Sequence, residues 1–357
     1  MSNATSFSTR LATNLLIICL LGFIIYVGGS ILIPLGFAIM LAMLLLPFVK
    51  WLTKKGVPDI LASLLAIFIA IIFVSGILYF LSAQVAGFME DLPAIKEKLQ
   101  QHWTSLQQWI GETFNFSKQK QDEAVESAKE TAQSSGTGTM GTVVMGLASG
   151  LMTMILLPIY TFLILFYRKL IHKFLVEVFP SAERGKVEEV LEESNSIVRA
   201  YMIGLLVEML IVTVLNTVGF FIIGIEYAIF LAVLAAVLNL IPYIGMLIAS
   251  VICVAVTLTT SDNTSDIIWT GAILIIVQFI DNNFIMPYIV GSKVRINALF
   301  SIVGVLVGGV LAGISGMFLS IPVMAIMKAV FDRVDGLKPW GILLGDDAGT
   351  KKKKKTK

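Results

Sequence analysis

The sequence has few charged residues, and this scarcity excludes most soluble proteins. Asp, Glu, Lys and Arg make up 14% of the 357 residues, whereas 57% of the residues are hydrophobic. A soluble domain usually has about 25% charged residues. The mean hydropathy of +0.89 is typical of a chain that crosses a bilayer several times. The composition therefore predicts an all-α, polytopic membrane protein whose first partner is the lipid bilayer.

Cysteine and histidine are almost absent, which leaves little for metal or redox chemistry. Cys19 and Cys253 both lie in apolar runs, and His102 and His172 are far apart in the chain. These residues do not have the short Cys/His spacing of a zinc site. The phosphate-binding loop, the Ser/His/Asp set and the His-Glu-x-x-His motif are missing too. We therefore expect no cofactor, no metal and no enzymatic activity, and any transport must be passive or driven by gradients.

The chain also lacks a strong excess of charge of either sign. Its formal net charge is +2, so nothing in the composition indicates nucleic acid as a partner. One dense basic run, Lys351–Lys355, lies near the last residue. We interpret this run as a cytoplasmic tail near anionic lipid, and a solvated tail is the simpler alternative.

Long uncharged stretches divide the chain into about eight membrane segments separated by polar segments. A bilayer core about 30 Å thick takes roughly 20 helical residues. In chain order, we predict three membrane helices in 1–89, an extracytoplasmic amphipathic insert in 90–138, a fourth membrane helix in 139–167, a cytoplasmic amphipathic segment in 168–199, a transport core in 200–334 and a cytoplasmic basic tail in 335–357. Lysine and arginine in the short loops place both termini in the cytoplasm.

Two of the uncharged runs are broken by proline or glycine near their middle. Tyr227–Ser261 contains Asn239-Leu-Ile-Pro-Tyr-Ile-Gly245, and Ile296–Met327 is rich in glycine at its centre. An unbroken helix over the first run would be roughly 52 Å long, which is too long for one span. The breaks therefore predict two re-entrant helical hairpins, and a kinked, tilted helix is the alternative.

The two broken runs are similar to each other in sequence. Gly245-Met-Leu-Ile-Ala-Ser250 resembles Gly316-Met-Phe-Leu-Ser320, and Ala228-Ile-Phe230 resembles Ala298-Leu-Phe300 at nearly the same offset. One span between the copies would reverse their orientation in the membrane. The pattern therefore predicts an inverted repeat, which is the architecture of many secondary transporters.

Carboxylates inside predicted spans are the strongest candidates for a functional site. Asp281 lies within a span, where a charge is costly and usually functional. Gln278, Asn282 and Asn283 extend a polar patch around it, although hydrogen bonds between helices would also explain them. Glu208 lies two turns into the fifth predicted span. It is a candidate proton relay, although its side chain could instead snorkel to the cytoplasmic interface.

The breaks in the two runs offer backbone groups to a ligand. Pro242 frees a carbonyl one turn earlier, and Gly245 lets a partner approach closely. Free carbonyls and helix ends can hold a cation or a polar solute, although the glycines of the second run would also suit close helix packing. The predicted substrate-binding or ion-binding residues are Asn239, Pro242, Gly245, Gln278, Asp281, Asn282, Pro287, Gly309, Gly313 and Gly316.

Several motifs taken together carry a family resemblance over essentially the whole chain. They are Arg199-Ala-Tyr201, Asn239-Leu-Ile-Pro-Tyr-Ile-Gly245, Asp281-Asn-Asn-Phe-Ile-Met-Pro-Tyr-Ile-Val-Gly291, the glycine series from Gly309 to Gly316, and Pro322. In these motifs the chain resembles the autoinducer-2 exporter family. The resemblance implies a bacterial inner-membrane protein with eight membrane segments. It also implies either export of autoinducer-2 or sodium/proton exchange. Many relatives have proline after Gly245, where this chain has Met246.

Three functions follow from these patterns. The first is a secondary transporter that exports a small polar solute similar to autoinducer-2. The second is a sodium/proton antiporter with Asp281 as the exchanging carboxylate. The third is a membrane scaffold without transport activity, acting through residues 90–138 and 168–199. Because the 90–138 insert has a Leu/Trp face that needs a partner, we also expect a homo-oligomer.

Overall fold

The computed structural model describes residues 7–90, 155–242, 244–261, 263–291 and 296–345. Within these ranges the chain is helical, and the only β-type pairing is a single bridge between Ile296 and Gly345. In chain order the helices are α1 (Phe7–Val27), α2 (Gly29–Lys54), α3 (Asp59–Glu90), α4 (Ile155–Phe166), α5 (Arg168–Glu177), α6 (Arg184–Ile223), α7 (Ala228–Asn239), α8 (Ile244–Thr260), α9 (Thr264–Ile280), α10 (Ala298–Arg333) and α11 (Lys338–Leu344), with two π-helical segments, Asp281–Ile285 and Pro287–Gly291, after α9.

Five helical stretches in the described ranges are long and apolar enough to cross a membrane. They are α2, α3, α6, α9 with the π-helical segments, and α10. The bent pair α4 and α5, which meet at 65°, would make a sixth. This architecture confirms the predicted all-α, polytopic membrane fold. The total of eight membrane segments stays a prediction. The 90–138 insert, apart from its first residue, and the tail from residue 346 lie outside the described residues.

Helix α6 is the central element of the fold, and its packing explains where the other helices lie. It is 40 residues long and ends at Gly224, whose φ of +85° favours glycine. Helices α7, α9, α10 and α2 and both π-helical segments all contact it. One face of α6 is buried along nearly its whole length, and its members are Ser194, Val198, Tyr201, Gly204, Leu205, Glu208, Val212, Asn216 and Phe220.

Helices α7 and α8 form a first antiparallel hairpin around the break that contains Pro242. Gly245, in the first turn of α8, lies against the backbone carbonyl of Leu238 near the end of α7. Further from the turn, Cys253 Sγ donates to the Leu231 carbonyl oxygen at 3.8 Å. The hairpin is rich in alanine, so its helices pack closely on α6 with a buried core around Phe220 and Leu231.

Helix α10 is a second hairpin, because the chain reverses at Ala312 and Gly313. Gly313 has φ +59° and ψ −147°, a conformation that residues with a Cβ rarely adopt. Gly304 lies against the Met324 side chain. In a straight helix these two residues would be about 30 Å apart. The breaks predicted from sequence therefore do produce helical hairpins, while their re-entrant placement in a bilayer stays a prediction.

Ion pairs between described residues lie at one end of the bundle, which we name the charged end. Arg168, at the start of α5, pairs with Asp59 at the start of α3, with 2.9 Å between Nη2 and Oδ1. Arg333, at the end of α10, pairs with Glu189 and Glu193 of α6. This is the end that the lysine and arginine bias predicts to be cytoplasmic.

Asp335, just after α10, belongs to the same charged end. It accepts hydrogen bonds from Lys338 at 2.5 Å and from Lys186 at 3.0 Å. These two lysines lower the pKa of the Asp335 carboxyl to about 2. The ion pair with Lys186 ties the segment after α10 to the first turn of α6.

Candidate functional site

The site begins with Glu208, which lies on the buried face of α6. Glu208 is only 5% exposed and lies between the buried side chains of Leu205 and Val212 on this face. The sequence analysis allowed this side chain to snorkel to the interface, and that interpretation is wrong. Asn239 of α7 lies against Glu208, so the carboxylate is buried in protein rather than directed to water.

Asn239 brings a polar group from the first hairpin to Glu208. It is the last residue of α7, and the chain leaves the helix there before Pro242. Its Nδ2 donates to Glu208 Oε1 at 3.3 Å and to Asp281 Oδ2 at 3.0 Å. One amide group therefore joins two carboxylates that are far apart in sequence.

Asp281 completes the site from the point where α9 changes from α-helical to π-helical geometry. It is 3% exposed and is the first residue of the segment Asp281–Ile285. Pro287 lies six residues further on and has no backbone N–H for a helical hydrogen bond, so a regular α-helix is locally unfavourable. π-Helical turns of this kind occur often at functional sites.

The electrostatics of Glu208, Asn239 and Asp281, which we name the carboxylate cluster, require a positive partner or a proton. Glu208 Oε2 and Asp281 Oδ1 are buried and have no hydrogen-bond partner among the described residues. Two buried carboxylates side by side are costly when both are charged. Within the described ranges, no group of three or more His, Cys, Asp or Glu side chains could hold a metal ion.

Most of the chain matches a known family of membrane proteins. Residues 14–336 match the model of the AI-2E family transporters. The chain belongs to the AI-2E transporter family. The resemblance drawn from the sequence motifs is confirmed, and membership assigns the chain to a family of membrane transporters.

Curated relatives of this AI-2E family chain carry names that agree with the family. The candidate transport protein YueF of Bacillus subtilis is 28% identical over 327 residues, which cover 87% of this chain and 85% of the relative. The candidate transport protein YrrI of the same organism is 26% identical over 307 residues, covering 84% and 86%. The candidate permease PerM of Escherichia coli is 30% identical over 341 residues, covering 91% and 93%.

In this AI-2E chain, the other predicted site residues of the first hairpin and of α9 lie around the carboxylate cluster but not in it. Pro242 and Gly245 form the turn that follows Asn239. Gln278 Nε2 donates to Asn282 Oδ1 at 3.0 Å on an exposed face of the helix, and Pro287 is also exposed. Asn282 and Pro287 therefore lie on the outer surface of the described residues and Gln278 is partly buried beside them, whereas Asp281 is buried.

Gly309, Gly313 and Gly316 belong to the second hairpin, whose Phe318 and Leu319 side chains pack in the same apolar core as Leu240, Met286 and Ile289. This hairpin packs on α1, α2 and α6, where the Phe318 ring stacks on Phe37 with 5.4 Å between centroids. Between described residues it makes no close backbone contact with α7, α9 or the π-helical segments. The structure therefore brings Glu208, Asn239 and Asp281 together and leaves these three glycines apart from them.

Asn216 is a polar residue of this site region that the sequence analysis missed. It lies two turns after Glu208 on the same face of α6, is 2% exposed, and its Oδ1 has no partner among the described residues. The signal in the sequence was its spacing of eight residues from Glu208, which repeats a helical face. Polar groups on this face therefore extend beyond the cluster, away from the charged end of α6.

Proposed function

We propose that this AI-2E chain is a secondary transporter that exports a small polar solute across the bacterial inner membrane. In this proposal the carboxylate cluster holds the proton or cation whose gradient drives the export. One observation carries the proposal: a single amide joins two buried carboxylates, and each carboxylate has one oxygen without a partner. Ionisable groups buried in membrane helices usually belong to ion or proton pathways.

The chemistry of the cluster supports cation or proton coupling. Asn239 uses its amino group for both carboxylates, so Glu208 Oε2 and Asp281 Oδ1 are left to accept a proton or coordinate a cation. Hard cations prefer oxygen ligands of this type. Binding one positive charge halves the negative charge of the pair, which lowers the cost of burying it. Because Asn239 belongs to the first hairpin and bonds both carboxylates, a change in their total charge on ion binding would change the preferred position of this hairpin.

The solute would bind where the helices are broken. Pro242 and Gly245 lie in the break that follows Asn239, where irregular backbone can offer carbonyl groups to a ligand. A solute similar to autoinducer-2 carries hydroxyl groups, and these can donate hydrogen bonds to such carbonyl oxygens. We also propose that the turn of the second hairpin, with Gly309, Gly313 and Gly316, contacts the solute in another state of the transport cycle.

Flux through liposomes tests this proposal. The purified full-length chain would be reconstituted, and autoinducer-2 efflux measured with and without imposed sodium and pH gradients. We expect efflux that rises with one of the two gradients. Sodium/proton exchange without autoinducer-2 flux would instead favour the antiporter, which the same cluster would suit. An absence of both fluxes would leave the scaffold interpretation.

We also propose that the protein works as a homo-oligomer assembled through residues 90–138. Apolar residues of this segment recur every three or four positions, from Leu92 through Trp103 to Ile110. An amphipathic helix seldom leaves its apolar face uncovered. Deletion of residues 92–116 should therefore shift the oligomer to a smaller species on native gels, and an unchanged oligomer would reject this part of the proposal.

A further inference from the structure

A cavity of about 590 Å³ lies between α2 and α6 at the charged end of the bundle. Its wall follows one stripe of α6, from Glu192 to Val207, and one stripe of α2, from Met43 to Lys50. Ile289 of the second π-helical segment also lines the cavity, beside the apolar part of the α6 stripe. Val207 is the last α6 residue of this wall, and Glu208, Asn239 and Asp281 do not line the cavity.

The outer half of this cavity carries two positive charges without partners. Lys50 and Arg199 both line it, and neither has a carboxylate within 4.0 Å among the described residues. Glu192 is the acidic side chain of the wall, so the charge of the lining is positive overall. Asn195 and Ser196 add a hydrogen-bonding amide and a hydroxyl beside the cations.

The neighbouring cations form ion pairs with a carboxylate, and this distinguishes them from Lys50 and Arg199. A second cavity of about 580 Å³ shares Lys50 with the first and is also lined by Arg168 and Lys169. Both of these residues pair with Asp59, at 2.9 Å and 3.4 Å. Lys50 and Arg199 are therefore the cations of this region that remain available to an anion.

The inner half of the cavity is apolar. Met43 and Leu46 come from α2, Ile203 and Val207 come from α6, and Ile289 comes from the second π-helical segment. A ligand that fits this lining has an anionic head and an apolar body. The volume lies within the range of ordinary small-molecule pockets, about 300–1,000 Å³.

We propose that this cavity binds a soluble amphipathic anion, with its carboxylate or phosphate between Lys50 and Arg199 and its apolar body toward Ile289. Arginine and lysine both bind phosphate and carboxylate oxygens, and arginine can do so with two parallel hydrogen bonds. The apolar body gains binding energy by leaving water. This site is separate from the carboxylate cluster, and its occupation does not depend on the transport proposed above.

Calorimetric titration of the full-length chain with octyl phosphate tests the site. The protein would be placed in nanodiscs of phosphatidylcholine alone. Octanol and inorganic phosphate would be titrated separately, as the apolar part and the anionic part of the ligand. We expect saturable binding of one octyl phosphate per chain, with much weaker binding of the two fragments. Affinity should rise roughly fourfold per methylene from butyl to octyl phosphate, the value for a buried methylene.

A pair of double variants with equal charge change provides the control. Lys50→Gln with Arg199→Gln should weaken octyl phosphate binding at least tenfold. Lys54→Gln with Arg184→Gln removes the same charge outside the cavity lining and should change the affinity less than twofold. Equal affinity in both double variants would overturn the proposal, because binding would then depend only on general surface charge or on the lipid.

A lipid arm separates the soluble anion from a membrane headgroup. The titration would be repeated in nanodiscs that contain phosphatidylglycerol. An unchanged affinity for octyl phosphate supports a soluble ligand. Loss of octyl phosphate binding in these discs would overturn the proposal and assign the cavity to an anionic phospholipid.

Discussion

Replacing Asp281 by asparagine should stop coupled transport while leaving the protein folded. The substitution keeps the shape of the side chain and an oxygen that can accept from Asn239 Nδ2, but it removes the negative charge. The altered side chain can neither take up a proton at this position nor balance a cation. A group that carries a proton in a reaction typically contributes a factor of about 10²–10⁴. We therefore expect gradient-driven flux to fall at least about 100-fold.

The effect of this substitution on stability should be small. A hydrogen bond to a charged group contributes about 1.5–3 kcal/mol and a neutral one about 0.5–1.5 kcal/mol, so the weakened bond to Asn239 costs about 1 kcal/mol. Removal of a buried charge with an unpartnered oxygen offsets this loss. Because 1 kcal/mol moves the melting temperature of a chain of 150–250 residues by about 2–4 °C, we expect a shift of about 3 °C or less.

The assay compares liposome flux and thermal melting for three variants. Glu208→Gln should lose flux as strongly as Asp281→Asn, because both carboxylates are buried and share one amide. Asn283→Ala changes a polar residue on the same span whose side chain is exposed and bonds only the Phe279 carbonyl among described residues, so it should transport normally. Normal flux in Asp281→Asn, or a loss of folding, would show that Asp281 is a structural hydrogen-bonding residue.

Three other predictions concern the hairpins, the charged end and the topology. Gly245→Ala should lower the melting temperature by several degrees, because a Cβ there would strike the Leu238 carbonyl, whereas Gly271→Ala meets open space and should not. The lowered pKa of Asp335 means that its ion pairs stabilise the fold above about pH 4 and lose this effect as the pH falls through about 2. Melting curves of Asp335→Asn should therefore lack that part of the acid dependence. In a cysteine-free background, a cysteine at Ser292 should be labelled only from the cytoplasm and one at Asn263 only from outside, and the reverse pattern would reject the re-entrant hairpins.

The hairpins show which part of the fold could be predicted from sequence. Proline lacks the N–H that continues a helix and glycine tolerates a positive φ, so the reversals near Pro242 and Gly313 agree with local chemistry, whereas Pro34, Pro47 and Pro322 lie inside helices that continue past them. The packing of the second hairpin depends on side chains far away in sequence, such as Phe37 against Phe318. A single sequence holds no signal for such a contact, and between described residues α10 makes no close backbone contact with the π-helical segment that begins at Asp281.

The burial of Asp281 could be predicted from the sequence, whereas the burial of Glu208 could not. Asp281 lies far from any other charge in its span, so its burial followed from the cost of exposing it to lipid. Glu208 seemed close to the start of a span, because the polar residues before Tyr201 look extramembranous. In the structure α6 continues through them from Arg184, and α7 and α9 cover Glu208 from the side. Asn282 was misplaced because adjacent residues on a helix point about 100° apart, which separates it from Asp281.

Glu208, Asn239 and Asp281 are far apart in sequence, so chain order sets the order in which the carboxylate cluster can assemble during synthesis. A ribosome adds about 5–20 residues per second, so Asp281 emerges roughly 4–15 s after Glu208. Helix α6 therefore enters the bilayer before either of its polar partners exists. The first hairpin can close early, because its contacts are local in sequence. Asn239 then reaches Glu208 first, and the arrival of α9 completes the cluster. A nascent chain halted between Asn239 and Asp281 would carry Glu208 with its amide but without the second carboxylate, and such a chain should be a preferred target of membrane quality control.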